Sequence, residues 1–280
     1  MAFGQQRIEY KTNAQMRSMA EAGAVLNRAL GKVLASAAAG VTTKELDEVF
    51  AGVLKENGAT SNFLGYHGFP ATVCTSVNEE VVHGIPSGRS LRDGDVLSID
   101  GGAIVGGWHS DSARTMIVGG AAAADPADQR LSDVTEESMW RGIAAVATGK
   151  FVGDIGAAID DYVSNVPGAQ LGILEDYVGH GIGSQMHMAP DVLNYRTSQR
   201  GPRLRPGLCL AIEPMLVRGS LQTDVLPDDW TVVTTDGARA AHWEHSVAIH
   251  DGGIWVLSAD DGGASRLEPL GVIPVPVPAA

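Results

Sequence analysis

The stretch Leu97-Ser-Ile-Asp-Gly-Gly-Ala-Ile-Val-Gly-Gly-Trp-His-Ser-Asp-Ser-Ala-Arg-Thr115 decides the fold of this chain. An apolar run ends at Asp100, and the chain then returns through Asp111 into a second apolar run. We expect a β-hairpin between them, with its turn in the glycine-rich part at Gly101, Gly102, Gly106 and Gly107. Buried carboxylates repel one another unless a cation lies between them. The hairpin therefore predicts part of a metal site, whose other ligands must come from elsewhere in the chain.

The composition narrows the function classes. The chain has 280 residues, of which 44% are hydrophobic, and a formal net charge of −13. That charge argues against a nucleic acid or an anionic membrane as the main partner. Two cysteines, Cys74 and Cys209, are too few for a disulfide framework or a Cys-rich zinc module. With no apolar run near the roughly 20 residues of a membrane span and no signal-peptide core before Thr12, we expect a cytoplasmic protein.

Hydrophobic spacing divides the chain into helices and short strands. Helical spacing predicts four helices, over 14–39, from the capping box Thr42-Thr-Lys-Glu45 to Asn57, over 131–147 and over 154–163. Short β-type runs follow each helical pair, up to Gly120 and then up to Ile254. We expect an α/β (α+β) fold with an arm over 1–13, a single domain over 14–265 with halves of about 14–120 and 131–255, and a loose, extended Pro/Val-rich tail over 266–280.

The two halves resemble each other. The decapeptides Leu91–Asp100 and Leu204–Glu213 share the pattern Leu-Arg-x-Gly-x-x-Leu-x-Ile-acid. Three further pairs of motifs occur in the same order along the two halves, two before the decapeptides and one after them: His67-Gly68 with His180-Gly181, His83–Pro86 with His187–Pro190, and His109-Ser-Asp111 with His242-Trp-Glu244. We expect a duplication whose halves are related by a pseudo-two-fold axis, with acid-bearing strands meeting in a shared sheet and a site at their junction.

Five residues are the candidate ligands of that site: Asp100, Asp111, His180, Glu213 and Glu244. Taken singly, each has an ordinary structural interpretation, such as a turn at an Asp before Gly-Gly. Taken together, four carboxylates and one imidazole are too oxygen-rich for a structural zinc site and suit Mn, Fe, Co or Zn in a catalytic site. Four carboxylates also balance the charge of two divalent ions, which in proteins typically lie ~3.5–4 Å apart.

The motifs together resemble type I methionine aminopeptidase, a bacterial enzyme of the M24 peptidase family. They are Val82-His-Gly-Ile-Pro86, Ile99-Asp100 with His109-Ser-Asp111, Gly179-His-Gly-Ile-Gly183, Ala211-Ile-Glu-Pro-Met215 and Trp243-Glu-His-Ser246. The resemblance runs from about Tyr10 to Ile249. It implies the "pita-bread" fold, with two pseudo-symmetric halves around a curved antiparallel sheet. It also implies removal of the N-terminal methionine from peptides and newly made proteins with a small second residue.

The resemblance assigns roles to the candidate residues. It implies that Asp111 and Glu244 bridge two metal ions (Co, Mn, Fe or Zn), with Asp100 on one ion and His180 and Glu213 on the other. For catalysis we expect Glu213 as general base, His187 as hydrogen-bond donor to the oxyanion, and His83 near the scissile nitrogen. The expected substrate-binding residues are His83, His187, Tyr66, Phe69, Cys74 and Trp230, with His67 beside them. The implied partners are peptide or nascent-protein N-termini and the ribosome, and we expect a monomer.

One segment departs from the family pattern. Family members commonly carry an aromatic residue before His187 and Glu-Pro soon after it, where this chain has Met186-His187-Met-Ala189-Pro190. We expect Met186 and Ala189 to alter the wall and rim of the methionine pocket.

Three alternatives remain at this point. A peptidase of the same fold that cleaves before proline usually carries a separate N-terminal domain, whereas ~13 residues precede the first helix here and autonomous domains need ~50. A catalytically inactive binding protein would have lost ligands, whereas all five positions are filled. A metal-storage role would not explain the two further histidines, His83 and His187.

Overall fold

The computed structural model describes residues 7–168 and 170–279, so the first six residues of the predicted arm lie outside the described residues. The helices are α1 (Asn13–Ser36), α2 (Thr43–Glu56), α3 (Pro126–Thr148), α4 (Gly153–Asn165) and α5 (Ala264–Leu267). The strands of the first half are β1 (Thr60–Ser61), β2 (Val73–Val77), β3 (Glu80–Val82), β4 (Val96–Val105) and β5 (Trp108–Ile117). Those of the second half are β6 (Gly172–Ile173), β7 (Gly179–Gly181), β8 (Met188–Val192), β9 (Cys209–Ile212), β10 (Met215–Val217), β11 (Thr223–Val225), β12 (Val232–Thr234), β13 (Ala240–His242), β14 (His245–His250) and β15 (Gly253–Val256).

Both helices of the first half begin at capping boxes. Thr42 accepts a hydrogen bond from the backbone N–H of Glu45, whose carboxylate accepts from Thr42 in return, as the sequence predicts. Thr12 and Gln15 do the same for α1. The apolar faces of α1 and α2 bury Leu26 and Phe50 against the sheet formed by β1, β4, β2 and β5.

The hairpin forms as expected, but its turn is shorter than the glycine pattern predicts. Strand β4 continues through Gly101 and Gly102, and only Gly106 and Gly107 form the turn, with φ of 57° and 82°. The expectation of a turn at Gly101 and Gly102 is wrong. Glycine is required at these positions because neighbouring side chains occupy the space that a Cβ would need. A Cβ on Gly101 would lie 2.6 Å from the ring of Phe50, and one on Gly102 would lie 2.2 Å from the amide nitrogen of Asn62.

The second half repeats this arrangement around a five-stranded sheet in the order β15-β14-β9-β7-β8, against which α3 and α4 pack. Two three-stranded sheets, β13-β10-β6 and β11-β12-β3, complete the described fold. In the second of these, β3 of the first half pairs with β12 of the second half.

The halves join where β5 meets the start of β14. Ala113 and Glu244 exchange backbone hydrogen bonds of 3.3 and 2.9 Å. On either side of this pair, a side-chain hydroxyl of one half donates a hydrogen bond to a backbone carbonyl of the other half. Ser246 Oγ donates to the carbonyl of Asp111 at 2.8 Å, and Thr115 Oγ1 donates to the carbonyl of His242 at 2.7 Å. These matching contacts confirm two pseudo-symmetric halves, which meet at this junction between the sheet that contains β5 and the sheet that contains β14.

Strand pairing corrects two of the predicted repeat correspondences. Leu97 and Leu210 occupy the same place in the repeat, and their strand partners are Val77 and Gly181. Gly181 therefore corresponds to Val77 and not to Gly68. In the same way, Met116 pairs with Leu97 and Val247 pairs with Leu210, so counting back three residues matches Glu244 with Ala113 rather than with Asp111. The sequence alignment of the two halves was wrong at these positions because matching residue types do not determine strand register.

Both chain ends contact the second half. In the arm, Lys11 N donates to Gly207 O at 2.7 Å, and the Glu9 carboxylate accepts from Ser184. The tail, which we expected to be loose and extended over 266–280, instead begins with the end of α5 and a 3₁₀ turn over Glu268–Leu270. Beyond that turn it is docked, since Val275 N donates to Ile254 O at 2.9 Å and Arg17 of α1 donates to the carbonyl of Pro278. Within the described ranges, no helix is both long enough and apolar enough to cross a membrane.

Candidate metal centre

The five predicted ligands converge on the junction of the halves. Asp100 lies in β4, Asp111 in β5, His180 in β7, Glu213 directly after β9, and Glu244 between β13 and β14. One ligand atom from each of Asp111, His180 and Glu244 lies within 4.8 Å of the other two. Glu213 joins them because its Oε1 is 3.3 Å from His180 Nε2. Asp100 lies beside the same cluster, because it pairs across the hairpin with Ala113, whose backbone exchanges hydrogen bonds with that of Glu244.

Among the described residues, no lysine or arginine forms an ion pair with the carboxylates of this cluster, whose pairs are with His180 and His242. Burial raises the pKa of Asp100 to about 7 and that of Glu213 to about 8. Burial and neighbouring carboxylates hold the pKa values of Asp111 and Glu244 well above their usual range. Asp100 Oδ1 and Glu244 Oε1 are buried and have no hydrogen-bond partner among the described residues. Unpaired carboxylate oxygens around a shared centre are the donors that divalent cations take, so these residues fit a metal site.

The imidazoles around the cluster are neutral near pH 7. Burial lowers the pKa of His83 to about 4 and that of His180 to about 3. Burial also lowers the pKa of His187. A neutral imidazole can ligate a metal ion through one nitrogen or donate one N–H hydrogen bond.

A cavity of about 330 Å³ opens onto the cluster. Asp111, His180, Glu213 and Glu244 form its polar end. Its remaining lining includes every residue that the resemblance placed at the substrate, His67 among them, together with Phe63 and Met186: Phe63, Tyr66, His67, Phe69, Cys74, His83, Met186, His187 and Trp230. The roles of these residues in substrate binding stay predictions.

The wall of this cavity is apolar. Phe63, Phe69, Cys74 and Met186 are all buried in one cluster, and Phe69 meets Trp230 edge-to-face at 5.1 Å between ring centroids. Burial raises the pKa of the Cys74 thiol well above its usual range, so Cys74 acts as an uncharged wall residue. Phe63 was missed from sequence because nothing in Ser61-Asn-Phe63 distinguishes it from ordinary core.

The two departures from the family pattern lie in different places. Met186 is part of the cavity wall, as expected. Ala189 lies instead in a separate groove of about 1410 Å³ beside the N-terminal arm, with Tyr10 and Asp191. Ala189 therefore does not line the methionine pocket, contrary to our expectation.

His242 is a residue that the sequence analysis left out of the site. Its Nε2 lies 3.6 Å from Glu213 Oε2 and is buried without a hydrogen-bond partner among the described residues. It also counteracts the rise in the pKa of Asp100. The motif His242-Trp-Glu244 contained this residue, but it was used only to align the halves.

Comparisons with known proteins agree with this geometry. The family model described as metallopeptidase family M24 matches residues 17–251. Methionine aminopeptidase 1 from Mycobacterium tuberculosis is 47% identical, over 91% of this chain and 96% of that protein. Methionine aminopeptidase 1 from Bacillus subtilis is 42% identical, over 89% and 98% of the two chains.

Solved structures share the fold. The methionine aminopeptidase from Thermotoga maritima superposes with a TM-score of 0.86 at 36% identity, covering 91% of this chain and 100% of that one. The prolidase from Pyrococcus furiosus, at 19% identity and a TM-score of 0.70 over 89% of this chain and 65% of its own, shows the fold alone. Together with the matched family model and relatives, these likenesses confirm the expected pita-bread fold. The chain belongs to the methionine aminopeptidases of metallopeptidase family M24.

Proposed function

We propose that this chain uses two divalent metal ions to remove the N-terminal methionine from peptides and newly made proteins whose second residue is small. One observation carries the proposal, namely that a cluster of four carboxylates, three of them buried, and His180 lies at the end of an apolar cavity of about 330 Å³. The relatives named methionine aminopeptidase support it. We further propose that it meets nascent chains near the ribosome in the cytoplasm, where its two free cysteines would stay reduced.

The donor set would divide between two ions. Asp111 and Glu244 would hold both ions, Asp100 would complete one site, and His180 with Glu213 the other. Bound ions of this kind, whether Co, Mn, Fe or Zn, lower the pKa of water and polarise the scissile carbonyl. The carboxylates in turn fix the charge balance, since four of them neutralise two divalent ions.

Other groups of the chain carry the proton transfers and the positioning. Glu213 accepts a proton from the attacking water as general base, because its carboxylate lies at the polar end of the cavity beside His180. His187 donates a hydrogen bond to the developing oxyanion. His83, whose ring lies 6.0 Å from that of Trp230 across the cavity, orients the scissile nitrogen or protonates the leaving amine.

The apolar wall suits a methionine side chain. Phe69, Trp230 and Cys74 offer flat or small contacts without a formal charge, and Met186 adds a flexible thioether that adapts to an unbranched side chain. Prolidase-type cleavage is the alternative, supported only by structures of low identity such as that from Pyrococcus furiosus.

An activity assay distinguishes methionine removal from prolidase-type cleavage. Metal-stripped protein should release methionine from Met-Ala-Ser only after addition of Mn, Fe, Co or Zn, and should leave Ala-Pro peptides intact. Preferential cleavage of Ala-Pro peptides would replace the proposed substrate, and full activity in the stripped protein would contradict the proposed metal dependence.

Removing one shared carboxylate charge should abolish the reaction. We expect Asp111→Asn and Glu244→Gln each to lower methionine release by more than about 100-fold. Even substitution of residues that only hydrogen-bond metal ligands typically lowers activity or metal affinity by about 10- to 100-fold. Elemental analysis should show fewer than two bound ions per chain. Asp224→Asn, an exposed carboxylate change on β11, is the matched control and should leave both readouts unchanged. Wild-type activity in either site variant would refute the shared-ligand assignment.

A further inference from the structure

Tyr66 makes a contact that a pocket wall does not require. Its hydroxyl oxygen lies 2.8 Å from Nδ1 of His187, and the two ring centroids are 5.4 Å apart. The other side of His187 faces the metal cluster, since its ring meets that of His180 edge-on at 4.3 Å. Among the described contacts, Nδ1 is the ring nitrogen of His187 that has a protein partner, and that partner is Tyr66.

The backbone around Tyr66 is tightly held. Tyr66 begins a single 3₁₀ turn after Gly65, which has φ of 83°. Gly65 N donates to Phe69 O and Phe69 N donates to Tyr66 O, both at 2.9 Å. His67 adopts a left-handed φ of 46° and places its ring 4.4 Å from that of Tyr66. The phenol is thus fixed between two imidazoles.

The chemistry of the pair sets the direction of this hydrogen bond. A neutral imidazole carries one proton, on either Nδ1 or Nε2, and the other nitrogen is an acceptor. Burial raises the pKa of the Tyr66 phenol, so near pH 7 the phenol keeps its proton and can donate it. An imidazole nitrogen is a better acceptor than a phenol oxygen, so the phenol donates to Nδ1.

We propose that Tyr66 is a positioning residue, which holds His187 in the tautomer that carries its proton on Nε2. This inference rests on the proposed function, in which His187 donates to the oxyanion. With Nδ1 occupied by the phenol, Nε2–H is the donor that remains for substrate. In the opposite tautomer, Nε2 would present a lone pair to the developing negative charge and repel it. Tyr66 thereby acts through His187 and not on the substrate itself.

The variant Tyr66→Phe removes only the hydroxyl and keeps the ring in the cavity wall. Nitrogen-15 NMR of histidine-labelled, zinc-loaded protein reports which ring nitrogen carries the proton, and a His187→Gln spectrum assigns the signal. We expect a single Nε2-protonated tautomer in the wild type and a mixture in Tyr66→Phe. For methionine release from Met-Ala-Ser, we expect kcat to fall roughly 10- to 100-fold with KM nearly unchanged, because a transition-state donor is weakened.

Tyr162→Phe is the matched control, because the Tyr162 ring packs against Arg141 on the α3–α4 surface, 4.6 Å from its guanidinium carbon, and not in the cavity. It should change neither the tautomer nor kcat. A proton on Nδ1 in the wild type would overturn the proposal without any variant. An unchanged tautomer in a folded Tyr66→Phe protein, or a loss confined to KM, would also overturn it. Since the NMR readout needs no turnover, failure of the proposed function would show separately, as absent methionine release by the wild type.

Discussion

At the scale of single residues, the site is a concentration of like charges that folding alone would oppose. Four carboxylates meet beside the neutral His180, and two of their oxygens have no hydrogen-bond partner among the described residues. An ionised carboxylate in such surroundings costs folding free energy unless a cation compensates it. His242 sits against Glu213 in the same junction. The residue types thus define a site whose stability depends on what binds there.

Metal-free protein should lose stability as the pH rises. The folded-state pKa values of Asp100 and Glu213 are raised to about 7 and about 8. Stability that is present below the unfolded pKa values, near 4, is therefore lost as the pH rises through the folded ones. We expect Tm of the stripped protein to fall by more than about 5 °C between pH 5.5 and pH 8.5. Differential scanning calorimetry would measure this.

Metal should remove this dependence. At saturating zinc the bound ions compensate the ionised carboxylates, and binding to the folded state alone stabilises it by about 2.7 kcal/mol at a hundred times Kd. Glu213→Gln should flatten the metal-free profile because one of the titrating groups is gone. A stripped protein with the same Tm across this pH range would contradict the electrostatic account.

At the scale of elements, β4 shows how packing overrides local signals. Glycines after an apolar run ordinarily indicate a turn, yet Gly101 and Gly102 stay in the strand. Phe50 from α2 packs where a side chain on Gly101 would be. The capping box of α2, in contrast, was predicted from sequence because it is complete within four residues. The box formed by Thr12 and Gln15 at α1 is equally local but was not predicted.

Gly101→Ala should therefore destabilise the fold. Its Cβ would lie 2.6 Å from the buried Phe50 ring, and overpacking of this kind costs about 1–3 kcal/mol of unfolding free energy. Gly31→Ala, at an exposed position of α1 with nothing within 4 Å, is the matched control and should stabilise by up to about 1 kcal/mol. Urea unfolding of both variants tests this, and equal stabilities would refute the packing explanation.

At the scale of the whole molecule, two hydroxyls join the halves. Ser246 and Thr115 occupy matching places in the repeat, and each donates to a backbone carbonyl of the other half. Ser246 also accepts from the N–H of Asp111 at 2.9 Å, so one side chain satisfies both backbone groups of a predicted ligand. The junction of the halves and the metal site are consequently one structure.

Ser246→Ala should weaken both folding and metal binding. It leaves the buried backbone groups of Asp111 without this partner, which costs about 1–3 kcal/mol of unfolding free energy. We expect Ser246→Ala to bind metal more weakly than the wild type in a calorimetric titration with zinc. Ser164→Ala, an exposed serine on α4, should match the wild type in both measurements. A Ser246→Ala protein with unchanged stability and affinity would show that the junction does not support the site.

The amino-acid sequence alone determined what depends on nearby residues. Hydrophobic spacing predicted the helices of both halves, the capping box Thr42–Glu45 predicted where α2 begins, and the motifs around Asp100, His180 and Glu213 supplied the ligand types and the family. These signals are readable because caps, strand alternation and metal-binding motifs each span a few consecutive residues. The methionine pocket was reached only through the family resemblance.

Tertiary structure alone decided which distant residues meet. It matched Glu244 with Ala113, kept Gly101 in a strand beneath Phe50, and brought the hydroxyl of Tyr66 to Nδ1 of His187. Such contacts depend on strand register and on how helices pack against sheets. Both are settled by the free energy of the whole core, so no short stretch of the chain records them.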